Sequence, residues 1–130
     1  MKNLILVCGV ENEKIESFVR ETNMLICDAT VVLYPENSSH PRVQIKNFKE
    51  LVGNSGDLII ATHSEVIFNE VRLHIKNKLF TDTAVKIYFI DSLHRFTVNV
   101  NSKGKIETYY VGMFDTVADQ LFELVFKNFF

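Results

Sequence analysis

The sequence predicts an open three-layer α/β domain built on a mostly parallel sheet, and three observations carry that reading. Short apolar runs recur at residues 4–7, 29–33, 58–61 and 84–90, each long enough for a strand and too short for a helix. Between them lie longer segments with apolar residues at helical spacing, so strand and helix alternate in the way that right-handed βαβ crossovers require. After residue 90 the pattern changes to strict alternation, which marks a strand with one wet face and closes the domain with an antiparallel element.

Each element follows from its own residues. The first run, Leu4 to Val7, shows no alternation and reads as a strand covered on both faces. Gly9 ends it, and residues 12–22 set Ile15, Phe18 and Val19 on one side of a helix. The second run stops before Pro35. Residues 41–52 predict a helix, with Val43, Phe48, Leu51 and Val52 near one side and Gly53 and Gly56 flanking its stop. After the third run, Thr62 or Ser64 can cap a helix whose apolar residues are Val66, Ile67, Val71, Leu73 and Ile75. Phe96, Val98 and Val100 alternate with Thr97 and Asn99. Ser102, Lys103 and Gly104 make a turn, and residues 106–110 are the return strand of a hairpin. Residues 114–130 read as a final helix. Val117, Leu121, Leu124 and Val125 form its buried stripe, and Phe122, Phe126, Phe129 and Phe130 widen its apolar surface. Either this helix is tucked into a groove or Phe126, Phe129 and Phe130 form a patch awaiting a partner.

Composition bounds the function. With 130 residues, 47% hydrophobic and 23% charged, the chain suits one domain with one core. A net charge of −2 gives no bulk attraction to nucleic acid or to anionic membranes, so direct nucleic-acid contact is not expected from it. A local basic face stays open. Lys46, Lys49, Arg72, Lys76 and Lys78 are the notable cluster, read as a solvated helix face. No apolar run approaches the roughly 20 residues of a membrane span, and the first run lacks a small-residue cleavage site, so neither anchor nor leader is expected. Cys8 and Cys27 lack CxxC spacing and lie in or beside apolar runs. Both are expected buried and reduced, which points to the cytoplasm. His74 and His94 have no partner at metal-ligand spacing and are expected at the surface or half-buried; no metal site is expected. Ser38 and Ser39 beside His40 lack an elbow motif and read as a loop, not a triad.

In open parallel sheets, ligands sit beyond the carboxyl ends of the strands. Residues 9–14, 34–41 and 62–65 fall there. The first could hold phosphates only as a GxxxxGK[ST] nest. Gly9-Val10-Glu11-Asn12-Glu13-Lys14 lacks the second Gly and the Ser/Thr, and it sets Glu11 and Glu13 where phosphates would lie. It reads as a plain strand-to-helix turn.

The other two segments carry a resemblance. Pro35-Glu36-Asn37-Ser38-Ser39-His40-Pro41-Arg42-Val43-Gln44 resembles the segment after the Walker B strand in SMC/OLD-like ABC-type ATPases. Ala61-Thr62-His63-Ser64-Glu65 resembles their Thr-His-Ser switch. Asn69 to Leu73, Val85 to Phe89, Lys103 to Ile106 and Gly112-Met113-Phe114-Asp115 follow in family order, so the resemblance spans about residues 30–124. It implies a P-loop/ABC-ATPase-like fold of which this chain is a truncated C-terminal half. It also implies that Thr62, His63 and Ser64 stand where the family meets nucleotide, His63 toward the γ-phosphate. Asn37, Ser38, Ser39, His40 and Arg42, with Glu65, would face the family's dimer interface. His63 also reads as a residue that caps the helix or packs beneath the loop, and His40 as a helix starter beside Pro41.

The departures from the family bear on function. The two positions before Pro35-Glu36, which carry the magnesium-organising acid and its neighbour in the family, are Leu33 and Tyr34. The expectation is therefore a pseudo-ATPase with no catalytic residue and no cofactor, acting by protein–protein contact. It would serve as a regulator, assembly partner or decoy, and a phage or other mobile element is the setting that suits such a half-domain. The expected partner is an ABC-type ATPase or a second copy. Two alternatives stand beside it: a minimal ATPase binding ATP and Mg²⁺ and completing its site in trans, and a nucleic-acid-associated accessory domain.

Overall fold

The computed structural model describes residues 2–26, 28–37 and 40–107. Eight elements follow in order: β1 (Lys2–Gly9), α1 (Asn12–Leu25), β2 (Thr30–Leu33), α2 (Pro41–Asn54), β3 (Leu58–Thr62), α3 (Glu65–Lys76), β4 (Thr83–Ile90) and β5 (Arg95–Val98). They build one sheet in the order β2-β3-β1-β4-β5. The first four strands are parallel and β5 runs antiparallel to β4. The four apolar runs are therefore contiguous members of one sheet, as the sequence predicts.

Period-two alternation divides the core between two faces. Leu4, Leu6, Cys8, Leu58, Ile60, Ile87 and Phe89 pack with Phe48 of α2 and with Ile67, Phe68 and Val71 of α3. Ile5, Val7, Ile59, Ala61 and Ile90 pack on the other face with Ile15 and Val19 of α1. The result is three layers, helix, sheet and helix. β2 is one edge strand, and Val31 and Leu33 are exposed there.

Local chemistry fixes the boundaries. α1 runs past Thr22 to Leu25, and α2 continues through Gly53 to Asn54. The carbonyls at the end of α2 find a donor from a distant element, since Lys2 Nζ donates to Val52 O at 2.8 Å and to Ser55 O at 3.3 Å. α3 ends in a Schellman turn: Leu79 N–H donates to His74 O and Lys78 N–H to Ile75 O, with Lys78 at φ 56°. Gly9 is required by close approach, because a Cβ there would lie 2.5 Å from the Ile90 carbonyl oxygen.

His74 departs from the expectation of a surface or half-buried residue. It is 7% exposed and is held between the rings of Phe48 and Phe80, with Nδ1 2.9 Å from the Glu70 carbonyl oxygen. Its position three residues after Val71 puts it on the same core-facing stripe. His94 is exposed, as expected. The bridge between Val100 and Ile106 begins the anticipated return strand. The rest of that strand, the final helix with Phe126, Phe129 and Phe130, and Cys27 lie outside the described residues. Cys8 is buried. Among the described residues no helix is long and apolar enough to cross a membrane.

Candidate functional site

The carboxyl ends of β1, β2 and β3 meet at one edge of the sheet, because β3 lies between the other two. Thr62, the last residue of β3, is fully buried. Its hydroxyl donates to Glu36 Oε1 at 2.7 Å, and the same carboxylate oxygen accepts the His63 backbone N–H at 2.6 Å. Thr62 Oγ1 in turn accepts the Ser64 backbone N–H at 2.9 Å. Ser64 caps α3 by accepting Ile67 N–H, and its hydroxyl donates to Gln44 Oε1 on α2. One chain of bonds thus ties the end of β3 to the turn after β2 and to α2.

His63 carries the tie to the third segment. Its Nδ1 lies 2.9 Å from the carbonyl oxygen of Gly9, which can only accept, so Nδ1 bears a proton. Nε2 faces the side-chain amide of Asn12 at the start of α1. The imidazole stacks on Tyr34 with ring centroids 5.1 Å apart and planes 4° from parallel. Tyr34 holds a left-handed backbone, φ 52°, while its N–H still donates to Ala61 O at the end of β3. A bulky residue is disfavoured there, so the position of this ring is maintained by the contacts around it.

Three groups at the edge are electrostatically distinctive. Glu36 Oε2 is buried and has no hydrogen-bond partner among the described residues. Burial pushes the Cys8 thiol well above its ordinary range, and the Glu36 carboxylate adds to that shift. Tyr34 is raised as well, by desolvation first and then by Glu16 and Glu36. The Cys8 thiol is therefore held in its protonated, unreactive form.

The sequence-predicted site residues divide into two groups. Thr62, His63 and Ser64 converge in one network. His40 caps α2, its Nδ1 accepting Arg42 N–H at 3.2 Å, so it does start the helix beside Pro41. Among the described residues the side chains of Arg42 and Glu65 enter none of the bonds of the network, and Asn37 closes the turn after β2 by donating its N–H to Tyr34 O. Ser38 and Ser39 lie outside the described residues. Sequence reasoning passed over Glu36, Gln44, Asn12 and Tyr34 as site residues. Glu36 and Gln44 were legible as parts of the Pro-Glu and Gln positions, whereas nothing in the sequence joins Asn12 to His63.

Among the described residues no three His, Cys, Asp or Glu side chains form a group able to hold a metal ion. Comparison with known proteins gives no matching family model, no similar curated protein and no similar solved structure.

Proposed function

We propose that this chain is a non-catalytic relative of the ABC-type ATPase core that acts by docking on a partner protein through the carboxyl edge of its sheet. The observation that carries the proposal is the engagement of His63. Both ring nitrogens meet groups of this chain, Gly9 O and Asn12, and one ring face lies on Tyr34. A histidine used in this way holds three segments in register and is not directed at a phosphate.

The residues at this edge do not fit a magnesium–nucleotide group. The positions that would organise the ion are Leu33 and Tyr34, neither of which supplies a carboxylate. The loop after β1 turns the Gly9 carbonyl toward His63, and Val10 N–H is bonded to Ile90 O, which is the reverse of a nest of converging N–H donors. Glu36 commits Oε1 to Thr62 and His63, which leaves a single carboxylate oxygen, Oε2, with no second carboxylate supplied by Leu33 or Tyr34 to organise an ion. What the edge offers is a set of loops braced by internal bonds, the kind of surface on which binding residues concentrate. Docking there would suit a regulator, an assembly partner or a decoy for an ATPase subunit.

The test uses side chains that lie outside the bonded network. The full-length chain and an Arg42→Glu, Glu65→Lys variant are used as baits in native-cell extracts, and any stoichiometric protein captured is then titrated as a purified component. The proposal expects binding to fall at least tenfold in the variant with its thermal midpoint unchanged. Undiminished binding by the variant contradicts edge docking. Nucleotide hydrolysis that arises only when the two proteins are mixed would favour a composite ATP site completed in trans.

A further inference from the structure

A second surface lies at the other side of α3, away from the Thr62–Ser64 network, and it stands independently of the docking proposal. Asn69, Arg72, Leu73 and Lys76 of α3 and Lys103, Gly104 and Lys105 of the following turn line an open depression of about 410 Å³. Its four charged lining residues are all cations. In a chain whose net charge is −2, this is a local reversal of sign. Among the described residues no carboxylate forms an ion pair with any of the four.

The depression is pre-organised. Arg72 Nε donates to Gly104 O at 2.8 Å, Nη1 donates to Asn69 Oδ1 at 3.1 Å, and the guanidinium lies 5.8 Å from the Phe68 ring centroid. The turn is braced by Asn101, whose side-chain oxygen accepts the backbone N–H groups of both Lys103 and Lys105. Gly104, at φ 78°, allows the turn to approach α3, because a Cβ would sit 2.9 Å from the Arg72 carbonyl oxygen. Lys103 and Lys105 are thereby delivered beside Arg72 and Lys76 by contacts some thirty residues apart in sequence.

We propose that this depression binds the phosphodiester backbone of a nucleic acid without reading its bases. Protein interfaces centre on buried aromatic and apolar anchors, and among the described residues the only large apolar side chain lining the depression is Leu73. A small phosphate compound would remain half-solvated in so open a site. A polyanion gains with every phosphate neutralised, through release of its condensed counterions. Among the described residues no aromatic face lines the depression for bases to stack on, so the contact is insensitive to sequence.

Fluorescence anisotropy of the full chain with a labelled duplex of about 20 base pairs, repeated from about 50 to about 200 mM salt, tests this. With four cations engaged, log affinity should fall against log salt with a slope of about −3 to −4. Lys103→Gln with Lys105→Gln should flatten the slope by about 2 and weaken low-salt binding about tenfold or more. Both side chains are exposed, so the fold is retained. Lys46→Gln with Lys49→Gln on α2 should leave the slope unchanged. Absence of binding at low salt, or an unchanged slope in the Lys103/Lys105 variant, overturns the proposal. So does displacement of the duplex by poly-glutamate as effective as by unlabelled duplex, which would indicate an acidic protein, or displacement by equimolar pyrophosphate, which would indicate a small ligand.

Discussion

Thr62 shows how one buried hydroxyl organises the edge, since it donates to Glu36 and accepts from Ser64 while being fully excluded from water. Thr62→Val keeps the shape and removes both bonds, leaving Ser64 N–H without its acceptor. The expected loss of stability is about 1–3 kcal/mol in urea denaturation, whereas Thr62→Ser retains most of it. Equal stability of the two variants would count against the network. Cys8 supplies a second residue-scale expectation. Its thiol is raised in the folded state and ionises near 9.0 when unfolded. The native chain therefore holds a proton that the unfolded chain releases, so this contribution is complete below that pH and is lost as pH rises above it. Stability of the wild type should fall more steeply than that of Cys8→Ala above pH 9, by up to about 1.4 kcal/mol per pH unit. Parallel curves would refute it. Residue roles were the least legible part of the sequence. His63 stood out through its Thr-His-Ser setting, but its partners Gly9 and Asn12 are more than fifty residues away. Its bonding therefore depends on strand order, which sequence spacing does not encode.

Among elements, strands and helices were legible because each has a strong local signal. Leu4 to Cys8 is apolar throughout since both faces of β1 are covered, and Pro41 after His40 marks the first turn of α2. What failed was local too. His74 was expected at the surface or half-buried although it lies on the core stripe, while Leu73, an apolar residue of the same helix, is 46% exposed. A helix face is set by what packs against it, and α2 and residue 80 supply that surround for His74. The end of α3 yields an element-scale expectation. Lys78 occupies the left-handed position of a Schellman turn, where glycine carries no Cβ penalty. Lys78→Gly should raise unfolding free energy by about 1 kcal/mol, read as a higher urea midpoint. A lower midpoint would mean that the Lys78 side chain makes a compensating contact.

For the molecule as a whole, the three-layer class and the contiguity of the four parallel strands follow from the order of the runs and the handedness of crossovers. The same topology has two functional consequences. Placing β3 between β1 and β2 brings three loops together at the carboxyl edge, where internal bonds brace them. Folding the 101–105 turn back on α3 gathers the cations of the second surface. Neither assembly can be read from spacing, since each joins segments separated by tens of residues. The central claim is that the braced edge does not hydrolyse nucleotide. Steady-state phosphate release by the purified full chain, at high protein concentration with ATP and Mg²⁺, tests it most directly against a His63→Ala control. The account predicts that wild type and control are indistinguishable from each other and from buffer, and release by the wild type that is abolished in His63→Ala would contradict it.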